Sequence, residues 1–384
     1  MGIEHNIPKY YLYSFFGLLN FFGPIYILFF QAYSLSLTQI MLFMTVYGVV
    51  EIIFEVPTGV ISDYMGRKKT MIVGAFFIFL EPLTIVVGHE YWHFIMAYVF
   101  LGIGSALLSG TDESIVYDSM IQMRKKRDYK KIYGTYIMFG QIGLIISALV
   151  GSYLFEINSK LPYAATAVAL FIVVLITMTF VEPKRKMPSK KLYKHMRESI
   201  GALRNSRLAY LVTFSILISM GIVLSWFFVQ PYYKLVGLRP EQFGVALAVG
   251  YIIAAIVARN AHKIEKRLGA KSLIAMPALI VIGYLLLSQF SFLLAFVFFY
   301  IISFAQGFSY PILNDYINSH IKSHNRATVL SMNSMIGNVV LAVVAPVMGY
   351  IADVYSVQAT LLLIAVVTLL LSIALLPKIM KKKA

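Results

Sequence analysis

The chain has 384 residues, of which 59% are hydrophobic and 13% charged, and its mean hydropathy is +0.78; this excludes a water-soluble globule and makes a lipid bilayer its solvent. Lys and Arg number 33 against 17 Asp and Glu, a formal charge of +16, which on so apolar a chain reads as affinity for anionic lipid headgroups and not for nucleic acid. With no cysteine, disulfides and thiolate metal sites are excluded, and no cofactor is expected.

Twelve apolar stretches are long enough to span at about 20 residues each: 10–32, 38–61, 70–88, 93–121, 132–155, 162–181, 208–231, 241–259, 270–287, 291–314, 328–351 and 357–377. Backbone groups in hydrocarbon must be satisfied within the segment, and none of the stretches alternates as a membrane barrel strand does, so the expectation is an all-α polytopic membrane protein. The first stretch is too long for a cleavable signal and lacks a small-residue cleavage site, so it is read as a retained helix.

Of the 33 Lys and Arg, only Lys160, Lys234 and Arg239 fall in loops on one side of this topology, leaving 30 on the other. That asymmetry predicts cytoplasmic N- and C-termini. The absence of any Asn-x-Ser/Thr sequon fits a prokaryotic cytoplasmic membrane. The longest loop, within 182–207, is basic, contains Pro183 and Pro188, and predicts a linker between a six-span bundle at 1–181 and another at 208–384. Its Leu192, Met196, Ile200 and Leu203 face, opposite Lys190, Lys191, Lys194 and Arg197, suits an amphipathic helix lying on the membrane. An offset of 203 residues superposes Leu35 on Leu238, Gln39 on Gln242, Gly66 on Gly269, Lys68 on Lys271, Gly104 on Gly307 and Asp112 on Asp315, as in transporters built from internal repeats.

Between the second and third spans the chain reads Gly59-Val-Ile-Ser-Asp63-Tyr64-Met-Gly66-Arg67-Lys68-Lys69. This segment, the twelve spans, the cytoplasmic termini and the basic central loop resemble the major facilitator superfamily of secondary transporters. Tyr64 stands where the family has a cation. The resemblance implies two pseudo-symmetric six-helix bundles and a gate on the cytoplasmic side made of Gly59, Asp63, Gly66 and Arg67. Asp63 would face the start of the eleventh span near Thr328, where a helix N-terminus carries partial positive charge, and Arg67 would pair with Asp118.

The resemblance also implies that the first, fourth, seventh and tenth spans line a central cavity. The polar and aromatic positions on them are Tyr13, Asn20 and Gln31; Tyr98, Ser105, Ser109 and Asp112; Ser215, Ser219, Trp226 and Gln230; and Ser303, Gln306, Tyr310 and Asn314. Away from the span ends the charged residues are all acids, namely Glu51, Glu55, Glu81, Asp112 and Glu113, with Asp315 at the end of the tenth span. An ionised Asp near the bilayer centre costs roughly 3 kcal/mol, and no Lys or Arg lies at that depth to pair with one. These acids are therefore read as proton carriers or as counter-charges for a cationic substrate.

The expected function is transport by alternating access, in the form of proton-coupled efflux of an amphipathic or cationic small molecule by a monomer. Abundant Tyr and Phe, 26 and 28 residues, suit such cargo through apolar contact and cation–π attraction. Drug exporters of this superfamily carry an arginine in the fourth span and a Gly-Pro motif in the fifth; here Tyr98 precedes Gly102, and Gly140 to Gly151 contains no proline. Proton-coupled nutrient uptake is thus the alternative, followed by a receptor or lipid-moving protein on the same scaffold. His89-Glu90-Tyr91-Trp92-His93 also fits the His-Glu-x-x-His pattern of zinc proteases. Its place in a short external loop, with no further histidine on that side, argues for interfacial residues instead, and no enzyme is expected.

Overall fold

The computed structural model describes residues 2–125, 128–183, 206–319 and 326–380. For 56–57, 59–64, 130, 206–207, 318–319 and 326–332 it describes the backbone course alone. The amphipathic face expected within the linker lies outside the described residues. Among those described, the secondary structure is helical throughout, as apolar segments that must satisfy their own backbone require. Ten stretches are long and apolar enough to cross a membrane, and Gly23–Ala32 is a shorter apolar helix. One of the ten, Pro240–Gln289, contains two consecutive helices, so the twelve expected spans are all present.

The chain forms two compact units. In the first, the leading span is split into α1 (Asn6–Gly17) and α2 (Tyr26–Ala32). Next come α3 (Leu37–Met65), α4 (Arg67–Val87), α5 (Tyr91–Leu108), α6 (Thr111–Gln122), α7 (Tyr129–Ile157) and α8 (Leu161–Thr179). The second unit is built on α9 (Ser206–Leu235), α10 (Pro240–Leu268), α11 (Ser272–Gln289), α12 (Phe299–Ser319), α13 (Arg326–Val354) and α14 (Val357–Met380). The first turn of α3 (36–39) groups with the second unit and that of α10 (240–245) with the first. In the second unit Asp353 caps that turn of α3, accepting from the Leu37 and Thr38 amides at 2.9 and 2.8 Å. In the first unit the Gly244 amide donates to Ser152 Oγ at 2.9 Å.

Two spans expected as single helices are broken. The fourth, read as continuous over 93–121, stops at Leu108 and restarts at Thr111, because Gly110 takes φ +67, a left-handed conformation that glycine adopts without the Cβ penalty. The first span turns at Leu18–Phe22 before a short 3-10 segment carrying Pro24; proline has no N–H to continue an upstream helix. Across this break α7 packs with small residues, Gly143 against the Phe15 carbonyl and Gly151 against that of Phe21, the close backbone approach that membrane helices use.

Candidate functional site

Both breaks in the first unit open onto one cavity of about 180 Å³. Gly17 and Leu18 line it from the end of α1, Leu108 and Asp112 from the α5–α6 junction, and Tyr13, Ser14 and Tyr136 from α1 and α7. Irregular backbone at membrane depth is tolerated where it lines a cavity or is buried in protein. Asp112 and Glu113 occupy the first turn of α6, where a carboxylate complements the helix dipole. Asp112 Oδ1 accepts from the Glu113 amide at 2.8 Å, and Glu113 Oε1 from the Tyr133 hydroxyl at 2.9 Å. Along α7 the rings of Tyr129, Tyr133 and Tyr136 succeed one another at 5.8 Å, and Tyr136 stacks on Tyr10 at 4.0 Å. Among the described residues, no Lys, Arg or His lines this cavity. Its negative field reaches the helix end: burial first, and then the carboxylates of Glu113 and Asp112, push the Tyr129 phenol up to about 12.

The other intramembrane acids also meet tyrosines. The Tyr47 hydroxyl donates to Glu51 Oε1 at 3.1 Å and is hydrogen-bonded with Ser105. A hydrogen bond to a charged group contributes about 1.5–3 kcal/mol, comparable to the roughly 3 kcal/mol insertion cost of a carboxylate, so one tyrosine can hold half-buried Glu51. Glu55 is half-buried, and below it Thr58 Oγ1 bonds the carbonyls of Glu55 and Ala106. Glu81 is 2% exposed. Tyr98, also buried, donates to the Tyr26 hydroxyl at 2.8 Å. Asn20 and Gln31 are half-buried, each with a side-chain oxygen that finds no hydrogen-bond partner among the described residues. Ser109 is exposed at the helix break.

The second unit holds a cavity of about 250 Å³ in which four expected residues meet: Trp226 from α9 and Ser303, Gln306 and Tyr310 from α12. Sequence reasoning missed its other aromatic walls, Tyr233, Tyr251, Phe299 and Tyr300. Tyr251, on α10, is hydrogen-bonded with Trp226. Among the described residues, no charged side chain lines this cavity. Gln230, one turn from Trp226, is fully buried, as is most of Ser215, while Ser219 is half-buried; none of these three is among the lining residues. Asn314 and Asp315 are exposed farther along α12.

At the end of α4 the Arg67 Nε lies 2.9 Å from Asp118 Oδ2, both side chains about one-fifth exposed, at 22% and 21%. This is the pairing the resemblance implied. Glu182, not singled out in the sequence, accepts from the amides of Arg67 and Lys68 at 2.9 and 2.7 Å, so its carboxylate takes up two orphan donors of the α4 N-terminus. Gly66, at φ +92, makes the turn that exposes them. Gly59 and Asp63 lie in α3, but the surroundings of 59–64 and the start of α13 fall outside the described side chains.

The His-Glu-x-x-His segment does not form one helical face. α5 starts at Tyr91, after His89 and Glu90; Glu90 and His93 form its capping box, and the Lys160 ammonium lies 3.4 Å from His89 Nδ1.

A Major Facilitator Superfamily model matches residues 11–344. The chain belongs to that superfamily. YxaM of Bacillus subtilis, an MFS-type transporter, is 24% identical over 397 residues, covering 93% of this chain and 92% of that protein. The multidrug resistance protein MdtG of Salmonella arizonae is 24% identical over 240 residues, 61% of this chain and 58% of that protein. Among solved structures, a point mutant of the nucleoside transporter NupG superposes with a TM-score of 0.82 at 15% identity, over 98% of this chain and 100% of that one. A D-xylose-proton symporter superposes with a TM-score of 0.72 at 13% identity, over 94% and 95%. At such identities the superpositions speak for the superfamily fold alone, and with the family match they make this a multi-pass transporter.

Proposed function

We propose that this superfamily member exports an amphipathic, cationic small molecule across the cytoplasmic membrane of a prokaryotic cell in exchange for protons, as a monomer with both termini in the cytoplasm. One observation carries the reading: two broken spans of the first unit meet at a cavity whose described lining contains the Asp112 carboxyl and no cation. Discontinuous helices place substrate and coupling-ion groups in other secondary transporters. Asp112 has the chemistry to hold either a proton or a cationic cargo, but not both charges at once, and that exclusion is what couples an antiporter. The aromatic cavity of the second unit supplies apolar and cation–π surface for an organic cation. The likeness to MdtG supports export to the same degree that it covers the chain.

Purified protein in liposomes tests this. An imposed proton gradient is expected to drive tetraphenylphosphonium against its own gradient, with protons moving the opposite way, and Asp112→Asn to abolish the drive. Transport indifferent to both the gradient and the substitution overturns the reading. Movement of proton and solute in the same direction selects uptake, the second reading, which Tyr98 in place of the exporters' arginine favours. For the gate, Asp63→Asn is expected to favour conformers open to the cytoplasm; unchanged labelling of a cysteine introduced on that side refutes the role.

A further inference from the structure

Glu81 takes no part in the cavity that contains Asp112. It lies on α4 well toward the end opposite Arg67, immediately before Pro82, a residue inside the helix that leaves the Ile78 carbonyl without its intrahelical donor. The side chain is 2% exposed, and its Oε1 is buried with no hydrogen-bond partner among the described residues. Three buried tyrosines from three other helices lie within electrostatic range of it, Tyr26 of α2, Tyr98 of α5 and Tyr163 of α8, and none of their hydroxyls is hydrogen-bonded to it. Tyr98 donates to Tyr26, and the Tyr163 hydroxyl is buried without a hydrogen-bond partner among the described residues.

Among the described residues no ion pair or hydrogen bond reaches the Glu81 carboxyl, and the charged groups of the neighbouring helices have other partners. Lys160, at the start of α8, gives its ammonium to the carbonyls of Val86 and Gly88. His93 and Glu90 cap α5. On α6, Asp112 and Glu113 belong to the cavity side with Tyr136 and Tyr133, and Asp118 pairs with Arg67. A buried carboxylate with neither a cation nor a donor is among the most costly states a membrane interior can hold, whereas a neutral carboxylic acid carries its own donor.

We propose that Glu81, with the hydroxyls of Tyr26, Tyr98 and Tyr163, forms a second proton-binding site, separate from Asp112. In the packed state the proton is on the carboxyl. When the surrounding helices part and water enters, the Glu81 O–H bond breaks, the proton passes to water, and the carboxylate left behind is met by the Tyr163 hydroxyl turning to donate. Two acid sites on different helices let a proton be held while the Asp112 site is occupied by cargo. The transport arm of the test rests on the proton-coupled reading above; the spectroscopic arm does not.

Infrared difference spectra of the full chain in phosphatidylethanolamine–phosphatidylglycerol liposomes, recorded over a pH series, decide the protonation. The expected result at neutral pH is a protonated-carboxyl C=O band that moves on [¹³C]glutamate labelling, disappears in Glu81→Gln and shifts in Tyr163→Phe. A neutral-pH spectrum without such a band, or a band that both variants leave unchanged, overturns the site. If Glu81→Gln does not fold, the labelled wild type and Tyr163→Phe carry the same decision. In transport, Glu81→Gln is expected to keep downhill tetraphenylphosphonium exchange but to lose gradient-driven accumulation by about tenfold, within the range of ordinary coupling energies. Wild-type coupling in a folded Glu81→Gln protein refutes the role. If no gradient drives the wild type, the antiport reading falls, and the infrared band still decides the site.

Discussion

The cavities of the two units differ in chemistry and in the parts of the helices that line them, for no residue lining the first maps at the offset of 203 onto one lining the second. Asp112 and Asp315 superpose at an offset of 203, but Asp112 lines its cavity while Asp315 is exposed beyond the other one. The residues just before them explain the difference. Ser109-Gly110 breaks the helix in the first unit, whereas the corresponding Ile312-Leu313 are each 2% exposed inside an unbroken α12. A left-handed glycine ends one helix and turns an acid toward the cavity at the next helix's first turn; in the other unit the helix runs on past Pro311 through two packed aliphatic residues. The two units thus divide their chemistry, with a carboxyl lining one cavity and an uncharged aromatic box in the other.

Four substitutions break or sharpen that contrast. Asp112→Asn has the largest expected effect, a loss of gradient-driven transport on the order of a hundredfold, near the upper end of site-to-site coupling, read in liposomes with downhill flux as the control. Trp226→Ala removes the largest wall of the aromatic box and its link to Tyr251; tetraphenylphosphonium affinity, measured by calorimetry, is expected to fall by about 2 kcal/mol. Proton coupling of whatever flux remains should survive, so a variant that binds normally but uncouples reverses the assignment of the two cavities. Asp118→Asn leaves half-buried Arg67 without its ion partner, at a cost of about 1–2 kcal/mol between the exposed and buried limits, seen as a lower thermal midpoint. Gly110→Ala meets no steric obstacle and should cost only about 1 kcal/mol for its left-handed backbone. If Asp112 matters by placement, this variant also weakens coupling; full coupling would show that the break is incidental.

Much of this was legible before any tertiary contact was known. The spans follow from length and hydropathy, because a bilayer forces each backbone segment to satisfy itself, and the resemblance carried by Gly59 to Lys69 led to the superfamily and to the Arg67–Asp118 pair. Trp226, Ser303, Gln306 and Tyr310 were singled out because the resemblance implies that the seventh and tenth spans line a cavity, and these are polar or aromatic positions on them. Glu182 was not found: it lies 115 residues from Arg67, and nothing local marks a carboxylate as the cap of a distant helix. Tyr133, Tyr136, Tyr233, Tyr251 and Tyr300 were hidden by abundance, since with 26 tyrosines in the chain no single one stands out.

Composition, charge asymmetry and one loop motif therefore determined by themselves that this chain is a helical membrane transporter of a known superfamily, since those properties act through the bilayer and need no knowledge of which helices touch. Only the tertiary structure decided that the first and fourth spans break at the same cavity, that Asp112 lines it, and that Glu81 is buried with a carboxyl oxygen that meets no donor among the described residues. Such environments are sums over neighbours distant in sequence. An acid's role in a membrane is set by which donors, cations and water can reach it, and that is a property of the packing.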